Sequence, residues 1–117
     1  MLLAACGAGV ASPRRTFTPT AVQVTDARQR VAEGRKWLVW SQGAADPASA
    51  ISDARAGLTA LGREYRNFAR GLIDDTSLTI AIAEDREYDG DLAGAAAELQ
   101  RVLRDRITLY VHAFGLE

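Results

Sequence analysis

The sequence predicts an all-α fold: a small antiparallel bundle of three to four helices. Alanine is abundant while aromatic residues are only 7% of the chain, a balance that favours helices over strands. Apolar residues recur at alternating steps of three and four along several segments, which is the spacing of one helix face. Only short connections separate these segments, so consecutive helices are expected to pack side by side and antiparallel.

The chain is predicted to contain one folded domain. Its 117 residues are 48% hydrophobic and 25% charged, values typical of a globular domain with enough apolar surface to fold. We expect residues 1–18 to form a signal remnant and flexible tether, and residues 19–117 to form the helical bundle. The net charge of −1 gives no overall field that would select a class of partner.

The first helix is predicted to begin at Thr18-Pro19, with Thr18 as the N-cap and Pro19 in the first helical position. Gly43 is predicted to end it. Its core-facing stripe consists of Val24, Ala27, Val31, Gly34 and Leu38.

The second helix has the most regular pattern in the chain. Asp46-Pro47 marks its start, and seven positions follow at alternating steps of three and four: Ile51, Ala54, Leu58, Leu61, Tyr65, Phe68 and Leu72. This pattern predicts a helix over residues 47–72, with Leu61 buried against helices 1 and 4. An unbroken helix reaching Glu87 is the alternative that the pattern leaves open.

Two further helices are predicted in the C-terminal half. Residues 74–77 offer caps for a third helix that runs through Leu78, Ala81 and Ile82. The turn over residues 89–91 then starts a fourth helix, which Gly115 closes. The core-facing stripe of that helix is Leu92, Ala96, Leu99, Leu103, Ile107, Tyr110 and Phe114.

The N-terminal residues Leu3-Ala4-Ala5-Cys6 resemble the lipobox of bacterial lipoproteins. In that family the cysteine receives a diacylglyceryl group and becomes the mature N-terminus. The resemblance implies a lipid on Cys6, attachment to a membrane of the bacterial cell envelope, and a position on its periplasmic or extracellular face. Residues 7–13 are mostly small and suit a flexible tether.

Only Met1 to Ala5 precede Cys6, whereas a secretory signal needs a basic region and roughly 7–15 apolar residues. Two interpretations remain open. Either translation starts upstream of Met1, or the match arose by chance in a cytoplasmic protein without a lipid. No run of about 18 apolar residues follows, so we expect no transmembrane helix.

An acidic segment over residues 85–92 matches the first half of an EF-hand-like calcium loop. The second half departs from the pattern, because Ala96 occupies the position of the bidentate glutamate. We therefore expect no metal, and interpret the segment as a helix–turn–helix corner that caps the fourth helix. The carboxylates available to a metal in this segment are Asp85, Glu87, Asp89 and Asp91.

No catalytic set is expected in this chain, and no cofactor. His112 is the only histidine and Cys6 the only cysteine, so no nucleophile, base and orienting group can assemble from them. Nucleic acid is not an expected partner, because the basic residues lie along a helix without interleaved stacking side chains.

Trp37 and Trp40 lie one helical turn apart beside Arg35 and Lys36, an arrangement typical of a contact with a protein or a membrane surface. The alternative is that at least one tryptophan belongs to the core. The sequence thus predicts a membrane-tethered envelope lipoprotein with a non-catalytic structural or protein-interaction module. Alternatives are a ligand- or calcium-binding bundle and a cytoplasmic adaptor without lipid.

Overall fold

A computed structural model describes residues 18–62 and 76–117. Within these ranges the chain forms four α-helices and no strand. The helices are α1 (Ala21–Gln42), α2 (Pro47–Leu61), α3 (Thr76–Tyr88) and α4 (Leu92–Phe114). The protein is therefore a small all-α helical bundle, as predicted.

Hydrogen bonds join the end of α1 to early residues of α2 and α4, and the first half of α1 to the end of α2. The Ser41 hydroxyl, near the end of α1, donates to the Ala50 carbonyl near the start of α2 at 2.6 Å. The Gln100 amide, in the first half of α4, donates to the Ser41 carbonyl at 3.2 Å. Arg30, in the first half of α1, reaches the Leu61 carbonyl at the end of α2. An antiparallel order for the whole bundle stays a prediction.

Helix α1 begins two residues later than predicted. The N-cap is Thr20 rather than Thr18, and its hydroxyl accepts the Gln23 backbone N–H at 3.1 Å. The Gln23 side chain accepts the Thr20 backbone N–H in return, at 2.9 Å. This reciprocal capping box satisfies two otherwise unpaired backbone donors, which explains why the helix starts here. Gly43 caps the other end, as predicted.

Helix α2 ends at Leu61, so the predicted extent to residue 72 is wrong, and so is the alternative of an unbroken helix to Glu87. The next residue, Gly62, has φ 74° and ψ −175°, a conformation that only glycine adopts readily. The 3-4 pattern of apolar residues continues past this glycine, but the backbone leaves the helix there. Three positions of the predicted stripe lie outside the described residues: Tyr65, Phe68 and Leu72.

Leu61 lies in the main core cluster, where its side chain is fully buried. The other buried members of this cluster come from α1 and α4: Ala27, Val31, Leu103, Ile107, Tyr110 and Phe114. The sequence therefore placed Leu61 correctly between the first and fourth helices. Leu99, from the predicted core-facing stripe of α4, belongs to a second cluster, in which α2, α3 and α4 meet mainly through small side chains.

Close packing of α2 depends on Gly57. A Cβ atom at this position would lie 2.5 Å from Leu103 Cδ2 and 3.1 Å from Trp37 Cβ. Leu103 is fully buried and has little room to move aside. The absence of a side chain at Gly57 thus allows α2 to approach both α4 and α1.

Helix α3 contains the predicted Leu78, Ala81 and Ile82, and it buries the side that carries Thr79 and Ala83. Thr79 and Ala83 are buried and Ile80 is half-buried, whereas Ala81 and Ile82 are exposed. The buried residues are four apart, so they share one side of the helix. Small side chains of α2 and α4 pack on that side, namely Ala50, Ala54, Ala95 and Ala96.

The burial of Leu61 leads to a first prediction. Leu61→Ala should lower the free energy of unfolding by about 2–5 kcal/mol, because it leaves a cavity in the main core. Urea denaturation followed by far-UV circular dichroism measures this change. The matched control is Thr59→Ala, an exposed position on the same helix, which should change stability by less than about 0.5 kcal/mol. Equal midpoints for the two variants would contradict the assigned core.

The backbone of Gly62 leads to a second prediction. Gly62→Ala should destabilise the fold by about 1–3 kcal/mol, since a Cβ atom is strained at φ 74° and ψ −175°. The control is Gly43→Ala, where φ is −96° and the added Cβ atom would meet only the Val39 carbonyl at 3.5 Å. Thermal melts of both variants distinguish the two sites. If Gly62→Ala melts like wild type, α2 does not end as described.

Candidate functional site

The candidate site is an aromatic patch on the last turns of α1, formed by Lys36, Trp37, Val39 and Trp40. The two indole rings meet edge to face, with centroids 4.9 Å apart and planes at 86°. The Lys36 ammonium lies 5.9 Å from the Trp37 ring centroid and 5.3 Å from that of Trp40. Both distances allow a cation–π interaction. The three side chains therefore hold one another in a defined arrangement.

The two tryptophans differ in burial. Trp37 is half-buried, with its Cβ atom 3.1 Å from the point where a Cβ atom on Gly57 of α2 would lie. Trp40 is 50% exposed and Val39 is 64% exposed, which is unusual for side chains of this size and polarity. Trp37 thus anchors the pair to the bundle while Trp40 and Val39 face outward. The structure therefore unites both predicted interaction residues in one patch.

Carboxylates balance Lys36, the cation of this patch, and the neighbouring Arg35. The Lys36 ammonium lies 3.1 Å from a Glu33 carboxylate oxygen, and the Arg35 guanidinium lies 2.6 Å from that of Glu117. The side chains of all four residues are 44–59% exposed, so these pairs contribute little to stability. Their effect is to leave the patch close to neutral, with its apolar area as the dominant feature.

The candidate calcium ligands lie at the corner between α3 and α4, but they are not gathered around one point. Asp85 and Asp89 are exposed. Glu87 accepts from the Arg55 guanidinium of α2 at 2.7 Å. Asp91 caps α4 by accepting the Gly94 backbone N–H at 3.0 Å. In the part of the chain that the structure describes, no group of three or more His, Cys, Asp or Glu residues is placed to hold a metal ion.

His112 and Cys6 are the remaining candidates named from the sequence. His112 is exposed in the last turn of α4. Cys6 lies outside the described residues. The sequence reasoning missed Val22 and Val39, which are 78% and 64% exposed on α1. Both lie off the predicted core-facing stripe of α1, and this is the sequence signal for their exposure.

Comparison of the chain with family models, with curated proteins and with solved structures finds no match. None of the helices that the structure describes is long and apolar enough to cross a membrane.

Asp91 leads to a third prediction. The Gly94 backbone N–H and then the Arg86 side chain stabilise its charged form, which lowers the pKa of the Asp91 carboxyl below its usual 3.8. A group with a lower pKa in the folded state stabilises the fold above its unfolded pKa, and this contribution is lost as the pH falls through the folded pKa. Asp91→Asn should therefore lower the melting temperature most near neutral pH.

The difference in melting temperature between wild type and Asp91→Asn should shrink in acid and vanish once the wild-type carboxyl is protonated. Thermal melts from about pH 7 down to about pH 2 measure this difference. Asp89→Asn changes an exposed neighbour outside the cap and is the control, with melting expected to follow wild type throughout. A pH-independent difference for Asp91→Asn would contradict the proposed role of its charge.

Proposed function

We propose that this chain is a lipid-tethered protein of the bacterial cell envelope, and that its bundle is a non-catalytic protein-interaction module. The observation that carries the interaction half is the aromatic patch on α1. Trp40 and Val39 expose apolar surface on α1, and the edge-to-face contact with Trp37 orients Trp40. Partly exposed tryptophans held in place in this way are typical centres of protein–protein contacts.

The lipobox-like residues ending at Cys6 support the tether half of the proposal. Residues 7–20 separate Cys6 from α1 and span at most about 50 Å when fully extended. A lipid on Cys6 would therefore hold the bundle close to the membrane surface while leaving it room to reorient. Confinement of this kind raises the local concentration of the patch for any partner at the same surface.

A non-catalytic role agrees with the chemistry of the described side chains. Charged residues on the bundle are largely paired with neighbours at the surface, as in Arg55–Glu87 and Arg86–Asp91. Buried polar side chains such as Ser41 tie helices together: its hydroxyl donates to the Ala50 carbonyl and accepts from the Gln100 amide. These groups stabilise the fold, and the aromatic patch is the surface that we assign to recognition of a partner.

The tether half leads to a fourth prediction. The gene is expressed in a bacterium with its natural upstream region, and cells are separated into membrane and soluble fractions. Wild type should be found with the membrane and incorporate labelled fatty acid, because Cys6 carries the lipid. Cys6→Ser should move the protein to the soluble fraction.

Ser12→Ala, a change in the same N-terminal segment that leaves the cysteine intact, is the matched control and should behave like wild type. Mass spectrometry of the purified wild-type protein provides a second readout, through the mass added at Cys6. A soluble wild-type protein with an unmodified cysteine would refute the tether and leave the cytoplasmic adaptor as the interpretation.

A further inference from the structure

A second stripe of residues on α1 faces away from the bundle. Its members follow one another at steps of 4, 3, 4, 3 and 4, so they share one side of the helix. We call them the outer stripe: Val22, Asp26, Gln29, Glu33, Lys36 and Trp40. Asp26 is half-buried and the other five are exposed. The buried positions of α1 lie on the opposite side, at Ala27, Val31, Gly34 and Ser41.

Apolar exposure in the described residues is concentrated on this helix. Five large hydrophobic side chains are exposed among the described residues, and three of the five belong to α1: Val22 at 78%, Val39 at 64% and Trp40 at 50%. Val22 and Trp40 occupy the two ends of the outer stripe, separated by about 27 Å at 1.5 Å per residue. Polar and charged residues fill the space between these two apolar ends.

The outer stripe of one α1 is complementary to the outer stripe of a second α1 that runs in the opposite direction. When a second α1 lies antiparallel, with the two-fold axis level with Val31, the N-terminal end of the stripe in one copy lies opposite its C-terminal end in the other copy. Val22 then lies opposite Trp40 of the second copy, an apolar pair. Asp26 lies opposite Lys36 of the second copy, a pair of opposite charges. Gln29 lies opposite Glu33 of the second copy, where the amide N–H can donate to the carboxylate.

We infer that a second copy of this chain docks on the outer stripe, with the two α1 helices antiparallel. A two-fold axis makes every contact occur twice, so both apolar ends and both Asp26–Lys36 pairs form together. This inference names the partner for the interaction half of the proposed function and rests on that half alone. It is independent of the lipid on Cys6.

The charges of the stripe favour a second copy over a lipid surface. Helices that lie on anionic membranes carry lysine and arginine along the polar face. On α1 the middle of the outer stripe instead carries the carboxylates of Asp26 and Glu33, which a negatively charged bilayer would repel. The same carboxylates suit a second copy, because Lys36 and Gln29 of that copy lie opposite them.

The charged side chains of the stripe already have partners within α1. Asp26 bonds Arg30 at 2.8 Å and Glu33 lies 3.1 Å from Lys36 within α1. The Glu33–Lys36 pair is exposed, so it is weak and its side chains exchange partners readily. The Arg30 side chain is 22% exposed and also donates to the Leu61 carbonyl, a bond that is separate from its contact with Asp26. Docking can thus add the contacts between copies while the buried face of α1 stays packed on the bundle.

The test uses the full 117-residue chain with Cys6→Ser, so that neither a lipid nor a disulfide contributes to association. Size-exclusion chromatography with light scattering measures the molar mass from low micromolar to about millimolar concentration. The mass should rise with concentration from 12.6 kDa towards twice that value. In this background, Lys36→Glu and Asp26→Lys should each stay monomeric, because like charges then face each other twice.

Mixing the two variants in equal amounts provides the sharpest test. In a mixed pair the native Asp26 of one chain faces the native Lys36 of the other, and the introduced glutamate faces the introduced lysine. Association should therefore return in the mixture although neither variant associates alone. Misfolding of a variant does not produce this recovery, and circular dichroism verifies that both remain helical.

Arg28→Glu reverses an exposed charge on α1 outside the outer stripe and is the matched control, expected to associate like the parent chain. A parent chain that is monomeric throughout, or variants that associate unchanged, would overturn the inference. Binding of the monomer to anionic phosphatidylglycerol vesicles, lost in Trp40→Ala, would overturn it in favour of a membrane surface. Failure of the tether is detected separately, by the fractionation of wild type and Cys6→Ser.

Discussion

The bundle depends on how Leu61 ends α2. Its side chain is fully buried, and its carbonyl accepts the Tyr110 hydroxyl at 3.0 Å and the Arg30 guanidinium at 3.1 Å. The last carbonyls of a helix have no partner within the helix, so these donors from α4 and α1 satisfy one of them. One residue thus joins three helices through both its backbone and its side chain, and the chain leaves the helix at Gly62.

Small residues control the distances between helices elsewhere in the bundle. Gly57 lets α2 approach Leu103 of α4, and Gly34 does the same for α1 and Leu61, where a Cβ atom would lie 3.3 Å from Leu61 Cδ2. The second cluster is built largely from alanines, including Ala54, Ala83 and Ala95, each with no exposed surface. An alanine-rich sequence therefore forms a core here by close approach of helices rather than by bulky side chains.

We attribute recognition of a partner to the outward face of α1, which the packing of the helices leaves exposed. Burial of Ala27, Val31 and Gly34 fixes the rotation of α1, so that Trp40 and Val22 face outward. The contact of Trp37 with α2 then holds the edge-to-face pair in position. The core thereby determines which residues are presented to a partner, although none of the presented residues is needed to fill it.

The sequence alone was sufficient for the class of fold and for most helix boundaries. Spacing of apolar residues identified the buried faces of α1 and α4, and Asp46, Gly43, Asp91 and Gly115 marked helix ends because their local chemistry caps a helix wherever it occurs. The Trp37–Trp40 pair was also recognisable, since one turn of helix brings the two residues together. Local patterns of this kind need no information from distant parts of the chain.

Only the tertiary structure decided where α2 ends, which face α3 buries, and which tryptophan faces outward. The 3-4 pattern continues beyond Leu61, so periodicity does not mark the end of α2. The structure places it where Gly62 leaves the helix and where Tyr110 and Arg30, residues far away in sequence, donate to the Leu61 carbonyl. Likewise, Trp37 is half-buried because Gly57 of another helix leaves space for it. These outcomes depend on contacts between separate helices, which the periodicity of a single helix does not contain.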